Sequence, residues 1–397
     1  MEVIILQQKR SIIEDGFKFW VKIRARVSTD KIEEMAKRIK EKSSGEDYKE
    51  DLRQLQENYD KLSRDIEILK TQLREAKSEK EKQQVEAKIT DSERLFQANE
   101  WLEKGKKEYI NGEYEGAIKS YTSAISLDPT FALAYNTRGL TFWQKGDYDR
   151  TIQDCSKAIT LNPNLAVAYN NRGLAYWKKG ENERGFEDYN KAISLDPKFA
   201  RAYNNRAIIY SANGENERAI EDYSKAISLN ANIAQVYNNR GLAYSKKGEK
   251  ERAIEDYNKA ISLDPNLAIA YSNRGYGYYY MKGKYDKAIE DLSKAISLNL
   301  DRVNLPIAYS NRGLSYWRKR EYDNALADYN KAISLNPNAA MPYNNRGLIY
   351  WVKGENERAI EDYNKAISLD PNLKIAYQNR DLALKNIRPR QRSCIFP

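Results

Sequence analysis

One unit of about 34 residues is written eight times between residues 98 and 373, and this repetition constrains the fold more than any other feature of the chain. Six of the seven intervals between unit starts are 34 residues long, and one is 38. The units begin at Ala98, Ala132, Ala166, Ala200, Ala234, Ala268, Pro306 and Ala340. A chain of tandem repeats builds its core by stacking the repeated units, because one unit cannot bury its apolar face alone.

Each unit predicts two helices, with positions 1 to 34 counted from its start. Apolar and aromatic residues at positions 4, 8 and 11 recur at helical spacing, and glycine at position 15, as at Gly180, breaks the helix. A second run places Ala219, Tyr223 and Ala226 three and four residues apart. It ends at Asp-Pro or Asn-Pro, since proline disfavours helix in the residue before it. The pattern therefore predicts an all-α array of helix pairs.

The positions that stay constant carry a family resemblance. Position 4 is aromatic, position 8 is Gly or Ala, position 20 is mostly Ala, position 24 mostly Tyr, position 27 always Ala and position 32 mostly Pro. This pattern resembles the tetratricopeptide repeat (TPR) family over eight repeats: 98–131, 132–165, 166–199, 200–233, 234–267, 268–305, 306–339 and 340–373. The resemblance implies a solenoid, a right-handed superhelix of helix pairs, with a concave groove lined by positions 2, 6, 9 and 13 of each first helix.

Position 7 departs from the family pattern, in which Leu is usual. It is Arg in seven repeats, and position 23 is Asp in the same seven. Both are missing from repeat 1, which has Lys104 and Ser120 instead. Their shared absence predicts an ion pair between the two helices of a repeat, since a guanidinium half-buried between helices needs a carboxylate.

A column of asparagines at position 6 is the first candidate peptide-binding feature. A primary amide both donates and accepts hydrogen bonds, so a column of amides can pair with the backbone of an extended peptide. This resembles the asparagine ladder with which the superhelix of one member of the family holds peptide backbone. Amides that bridge helices are the alternative. The predicted peptide-binding amides are Asn171, Asn205, Asn239, Asn273, Asn311 and Asn345.

Apolar residues on the first helices are the second candidate feature. Large aromatic and aliphatic side chains are typical hot spots of protein interfaces. Packing between repeats is the alternative for the aromatic ones. The predicted anchors are Leu140, Leu174 and Leu242 at position 9, and Trp143, Trp177, Trp317 and Trp351 at position 12.

Repeat 6 is irregular. It gains one residue before Gly283 and three after Asn299, which predicts either a change of superhelix curvature between repeats 6 and 7 or simple drift in loop length.

The flanks of the array differ from it. Residues 17–27 alternate apolar and polar side chains and follow Asp15-Gly16, which predicts a β-hairpin within residues 1–27. Residues 28–47 predict a short helix and a turn. Residues 48–97 predict a coiled coil or long connector helix, with apolar residues spaced alternately four and three apart through residue 76. That stripe predicts either a homodimer through 48–76 or a helix that packs back on the array. Residues 374–387 predict a capping helix and residues 388–397 a basic disordered tail.

Composition excludes several classes of function. The chain has no histidine and two cysteines, so it lacks the commonest general base and any disulfide or metal framework. We therefore expect no catalytic residues, no metal and no cofactor. No apolar run is long enough to span a bilayer, and the chain has no signal-peptide pattern, so we expect a cytoplasmic protein without a transmembrane segment.

The expected function is a non-catalytic protein–protein interaction scaffold that binds an extended peptide segment in the groove. One alternative is a nucleic-acid-binding protein that uses the basic N-terminal strand and C-terminal tail. It is disfavoured because the repeats are too alike to form a base code. Another alternative is a sensor array coupled to an N-terminal effector segment.

Overall fold

The computed structural model describes the backbone of residues 46–392 except residue 231, and the side chains of residues 60–385 except residues 63 and 231. The chain divides into two compact units, residues 1–58 and 59–397. The described part of the first unit, residues 46–58, is helical. The predicted hairpin at 1–27 and nearly all of the predicted helix and turn at 28–47 lie outside the described residues.

The described chain is all-α, as predicted, and from residue 79 onward successive helices pack as neighbours. The helices are α1 (Glu46–Glu75), α2 (Glu79–Ile110), α3 (Tyr114–Leu127), α4 (Ala132–Gln144), α5 (Tyr148–Leu161), α6 (Ala166–Lys178), α7 (Asn182–Leu195), α8 (Ala200–Ala212), α9 (Asn216–Leu229), α10 (Ala234–Lys246), α11 (Lys250–Leu263), α12 (Ala268–Tyr280), α13 (Tyr285–Ser297), α14 (Asn304–Arg318), α15 (Tyr322–Leu335), α16 (Ala340–Val352), α17 (Asn356–Leu369) and α18 (Lys374–Arg392).

A close approach of small and aromatic residues holds the two helices of a repeat together. In repeat 3, a Cβ added to Gly173 would lie 2.8 Å from Cε1 of Tyr189 and 3.1 Å from the carbonyl oxygen of Gly185. The buried Tyr189 ring therefore packs directly against the backbone of the first helix. The same pairing of positions 8 and 24 recurs at Gly241 with Tyr257. This explains why position 8 is restricted to Gly or Ala.

The turn inside each repeat needs a left-handed residue. Seven glycines there have φ between 79° and 83°. In repeat 7 the same turn is occupied by Arg320, which adopts φ 63° despite its Cβ. The turn geometry therefore survives where its preferred residue is lost, at a cost in backbone strain.

Residues 48–97, predicted as one coiled coil or long connector helix, belong to two helices that are divided where the apolar stripe ends. Helix α1 ends at Glu75, and α2 begins at Glu79, where the Ser78 hydroxyl accepts a hydrogen bond from the Glu81 N–H at 3.2 Å. Helix α2 then continues without a break through residue 97 into the first helix of repeat 1. On α1, Ile66 is buried within the single chain. Part of the apolar stripe is therefore already covered without a second molecule.

Both insertions of repeat 6 lie in turns. The first lengthens the turn between α12 and α13, and the second lengthens the one between α13 and α14. In the second turn the Asp301 carboxylate accepts hydrogen bonds from the N–H groups of Val303 and Asn304, both at 2.9 Å. Helix α14 consequently begins two residues before the repeat start at Pro306.

The last helix is longer than the predicted capping helix. Helix α18 runs to Arg392, so residues 388–392, predicted as the start of a disordered tail, are helical. Residues 393–397 lie outside the described part of the chain.

Candidate interaction groove

The predicted Arg–Asp pairs are confirmed in all seven repeats that carry them. In repeat 5, Nε and Nη2 of Arg240 donate to Oδ2 and Oδ1 of Asp256, both at 2.8 Å. The Asp256 side chain is 8% exposed and that of Arg240 is 19% exposed. The two hydrogen bonds stabilise the charged guanidinium and raise the pKa of Arg240 above its ordinary value. Position 7 is therefore occupied by a structural ion pair within the repeat.

The third nitrogen of each arginine links two repeats. Nη1 of Arg240 donates to Oγ of Ser224 at 3.0 Å, on the second helix of the preceding repeat. The equivalent acceptor at position 25 is Asn190 for Arg206, at 2.7 Å. Each arginine thus bonds the carboxylate of its own repeat and a neutral side chain of the one before. Together these contacts hold the first-helix face in a fixed geometry from repeat 2 to repeat 8.

The candidate asparagines are hydrogen-bonded to one another across the repeats. Nδ2 of Asn171 donates to Oδ1 of Asn136 in the preceding repeat at 3.0 Å, and Nδ2 of Asn170 donates to Oδ1 of Asn171 at 3.3 Å. Nδ2 of Asn205 continues the series to Oδ1 of Asn170 at 2.9 Å. Positions 5 and 6 therefore form one amide ladder. The helix-bridging alternative describes part of what these side chains do.

The ladder is not continuous. Nδ2 of Asn273 donates to Oδ1 of Asn238, but position 5 is Ser272 in repeat 6 and Ser310 in repeat 7. Nδ2 of Asn345, which follows Ser310, is buried with no hydrogen-bond partner among the described residues. Asn171 and Asn345 are buried, whereas four candidate amides are half-buried and keep an accessible surface: Asn205, Asn239, Asn273 and Asn311.

The candidate apolar anchors differ in accessibility. Leu140 and Leu174 are half-buried, and Leu242 is 38% exposed. All four candidate tryptophans are half-buried: Trp143, Trp177, Trp317 and Trp351. The indole N–H groups of Trp143 and Trp351 are buried without a hydrogen-bond partner among the described residues. Position 12 thus contributes to packing between repeats as well as to the surface.

Four of the exposed apolar side chains on the first helices were not among the residues selected from the sequence. Tyr276 and Tyr280 occupy positions 9 and 13 of repeat 6, and Ile307 and Met341 occupy position 2 of repeats 7 and 8. They are 38%, 52%, 49% and 46% exposed, in that order. Their positions in the repeat could have identified them in the sequence. Tyr276, for example, replaces the Leu or Ile that most other repeats have at position 9. We use the term groove face for positions 2, 6, 9 and 13 of the first helices.

The array brings the first helices of distant repeats within electrostatic range of one another. Burial raises the pKa of Tyr109 in repeat 1, and the positive charge of Arg201 in repeat 4 acts against that rise. A charge three repeats away is therefore within electrostatic range across the groove. The groove face of repeats 2 to 8 carries the cations Lys178, Arg201, Lys246 and Arg318 and no Asp or Glu.

Among the described side chains, no three His, Cys, Asp or Glu groups cluster in a way that would hold a metal ion. No helix in that part of the chain is long and apolar enough to cross a membrane.

This arrangement of stacked hairpins with a shared inner face defines a helical-repeat solenoid. Family models for the tetratricopeptide repeat match residues 166–199, 234–267, 306–339 and 340–373, and related TPR models match 105–146, 139–180, 188–221, 209–248, 256–290 and 278–319. The chain belongs to the tetratricopeptide repeat family. No curated protein sequence matches it significantly.

One solved structure shows the same fold, and two others are similar over part of this chain. The APC/C hetero-tetramer Cut9–Hcn1 contains a chain that is 20% identical, with a TM-score of 0.59; the match covers 77% of this chain and 59% of that one. A TPR protein from Parabacteroides merdae is 24% identical over 64% of this chain and 98% of its own, with a TM-score of 0.48. PilF of Pseudomonas aeruginosa is 24% identical over 54% and 95%, with the same TM-score. This chain therefore spans about three fifths of the length of the Cut9–Hcn1 match.

Proposed function

We propose that this protein is a non-catalytic interaction scaffold that binds an extended peptide segment of a partner protein along its groove face. TPR arrays are protein-interaction folds in general, and this array devotes its buried polar groups to its own geometry. The Arg–Asp pairs and much of the amide ladder are satisfied internally. What remains accessible on the groove face is apolar, amide or cationic.

The observation that carries the proposal is the series of exposed apolar side chains on the groove face. Soluble proteins rarely expose contiguous apolar surface unless it binds something. Leu242, Ile307 and Met341 are each more than a third exposed, and Val352 continues the series at 43%. Leu382, on the capping helix α18, is 50% exposed. An extended segment running along the array would cover these side chains one after another.

The asparagine column has a secondary role in this proposal. An amide has two N–H donors and two acceptor lone pairs, and Asn205 uses one of each within the ladder. The unused donor and acceptor of the half-buried amides would pair with the N–H and C=O groups of the bound backbone. Because the ladder already holds these amides in place, binding would cost little additional side-chain entropy.

The test is a peptide selection followed by a matched pair of variants. Random twelve-residue peptides displayed on phage would be selected against the full chain, and the selected peptides measured by fluorescence anisotropy. Leu242→Ala should weaken binding of peptides that cross repeat 5, on the order of tenfold for the loss of one buried side chain. Leu335→Ala is the control, because Leu335 is 39% exposed but lies on the second helix of repeat 7.

Two outcomes would reject the proposal that the groove face binds peptides. One is a selection that yields no peptide with saturable binding. The other is selected peptides whose affinity falls equally for Leu242→Ala and Leu335→Ala, or only for the control.

We also propose that α1 forms a homodimer seam. Its apolar stripe is only partly covered within one chain, since Leu62 and Leu69 are half-buried. Leu62→Lys with Leu69→Lys should convert the full chain to a monomer in light scattering. Ile68→Lys, at a side chain that is 55% exposed and off the stripe, should leave the mass unchanged. A wild-type chain that is already monomeric would instead assign the stripe to packing within the chain.

A further inference from the structure

The irregular repeat 6 has tyrosines at positions 9 and 13, where no other repeat has one, and a third at position 12. Tyr276 and Tyr280 stack edge to face with ring centroids 4.9 Å apart, and their hydroxyl oxygens are 3.0 Å apart. Tyr279 stacks edge to face on Tyr280 at 5.0 Å. We call Tyr276, Tyr279 and Tyr280 the tyrosine patch. Its rings hold one another in place, so the surface exists before any ligand arrives.

The tyrosine patch is continuous with apolar side chains of both neighbouring repeats in the groove-face columns. Leu242 occupies position 9 of repeat 5, the column of Tyr276. Ile307 occupies position 2 of repeat 7. All four exposed side chains, counting Tyr276 and Tyr280, are between 38% and 52% exposed. This part of the groove therefore offers an aromatic and aliphatic surface spanning three repeats.

Cations stand on both sides of the tyrosine patch. Position 13 is Lys246 in repeat 5, Tyr280 in repeat 6 and Arg318 in repeat 7, so the exposed ring lies in one column between two positive charges. The Arg318 guanidinium lies 5.7 Å from the centroid of the Tyr279 ring, and Nζ of Lys250 lies 5.3 Å from that of Tyr280. No groove-face carboxylate in repeats 2 to 8 offsets these charges.

We infer that repeats 5 to 7 form a specificity site for an acidic peptide segment, in which one aromatic side chain rests on the tyrosine patch and carboxylates lie on either side. This inference rests on the proposed groove binding and gives it a ligand chemistry. Aromatic rings pack favourably edge to face against such a surface. Carboxylates of the bound segment would pair with Lys246 and Arg318. The groove face of repeats 2 to 8 has no Asp or Glu of its own to pair with these two cations.

The spacing of the carboxylates follows from the packing of the helices. Neighbouring helices pack roughly 10 Å apart, and an extended chain advances about 3.3 Å per residue. A segment that follows the array therefore passes on the order of three residues per repeat. The expected motif places one acid about three residues before the aromatic residue and one about three residues after it.

The experiment uses the full chain and three fluorescein-labelled peptides. The probe is GEGGFGGEG; one control replaces Phe by Ala, and the other replaces both Glu by Lys. We expect the probe to bind at least tenfold more tightly than either control in anisotropy titrations. Raising the salt concentration should weaken the probe and not the Lys control, because the flanking contacts are between exposed charges.

Two double variants locate the site. Tyr276→Ala with Tyr280→Ala should reduce probe affinity to that of the Phe-free control. The control is Ile68→Ala with Leu335→Ala, two exposed apolar side chains that lie off the groove face, and it should leave probe affinity unchanged. Helix content by circular dichroism checks that both variants fold. Arg318→Glu should weaken the probe and strengthen the Lys control.

The outcomes separate this inference from the proposed function. If phage-selected peptides bind and depend on Leu242 but the probe does not exceed its controls, the tyrosine patch is not an acidic-peptide site and groove binding stands. If neither binds, both fail. A labelled oligo(dT) of twelve nucleotides that binds more tightly than the probe and depends on Tyr276 and Tyr280 would overturn the inference in favour of a nucleic-acid site.

Discussion

Removing one carboxylate from the array tests the energetic role of the Arg–Asp pairs. Asp256→Ala leaves the Arg240 guanidinium between two helices with no counter-charge. Deleting one partner of a buried pair typically costs 3–5 kcal/mol. Because Arg240 is 19% exposed and keeps its bond to Ser224, we expect the lower end, about 3 kcal/mol. That corresponds to roughly a hundredfold rise in the local opening equilibrium of repeat 5.

The measurement is amide hydrogen exchange by mass spectrometry, resolved by repeat, because a long array does not unfold in a single two-state step. Exchange should accelerate by roughly that factor in residues 234–267 and much less in repeats 2 and 8. Arg240→Ala should also loosen repeat 4, since it removes the bond to Ser224. That asymmetry distinguishes an inter-repeat contact from one confined to its own repeat.

The control is an exposed pair in the same repeat. Nη1 of Arg252 donates to Oε2 of Glu249 at 2.8 Å, with the arginine side chain 65% exposed. Exposed pairs contribute little to stability, so Arg252→Ala should barely change exchange. If exchange accelerates equally in Asp256→Ala and Arg252→Ala, burial does not make the Arg240–Asp256 pair more stabilising than an exposed pair, and the structural role assigned to it is wrong.

Three further predictions concern single positions. Arg320→Gly should stabilise repeat 7 by about 1 kcal/mol in repeat-resolved hydrogen exchange, because it relieves a left-handed residue, and Gly354→Ala should destabilise repeat 8; the opposite sign at either site would contradict the strain. Asn171→Ala should lower the stability of the array by about 2 kcal/mol in hydrogen exchange, because it removes two hydrogen bonds. Asn311→Ala should lower it less, because the Asn311 side chain bonds no other described residue; equal losses would show that the amide ladder does not stabilise the stack. In a Cys394→Ser background, the buried Cys155 thiol, whose pKa is raised by burial, should react with a thiol reagent only on unfolding; fast native labelling would place repeat 2 in frequent opening.

The ion pairs were predictable from sequence because one repeat lacks both partners at once. Lys104 and Ser120 depart from Arg and Asp together, and a joint departure indicates contact. The partner of the third guanidinium nitrogen was not predictable in this way. Position 25 alternates among Ser, Thr and Asn, residues that are common on any solvated helix surface, so Ser224 or Asn190 carries no distinguishing signal in the sequence.

The amide ladder shows a different limit of sequence patterns. Asn170 and Asn171 are adjacent in the chain, and adjacent residues on a helix do not face each other. Position 5 was therefore not associated with the position 6 column. In the structure both amides point into the junction between consecutive first helices, where a neighbouring repeat supplies the second partner. Which polar groups meet across a junction depends on the stacking geometry and not on helical periodicity alone.

The tyrosines of repeat 6 were visible in the sequence but were interpreted only as part of an irregular repeat. The segment GYGYYYM, residues 275–281, lies next to the residue inserted before Gly283. The structure places the inserted residue in a turn, so Tyr276 and Tyr280 stay in register with positions 9 and 13. Whether a side chain at such a position is covered by the next repeat depends on the size of its neighbours. The exposed fraction is therefore a property of the assembled stack.

The guanidinium contacts between repeats make the junctions chemically interchangeable. Arg206 bonds Asn190, and Arg240 bonds Ser224, through the same nitrogen. If repeat 4 (200–233) were excised, Arg240 would meet Asn190, an acceptor already used by another arginine of the array. Whole repeats could therefore be lost or duplicated by recombination within the gene without leaving an arginine unmatched at the new junction, so the length of the array is free to vary in evolution by whole repeats.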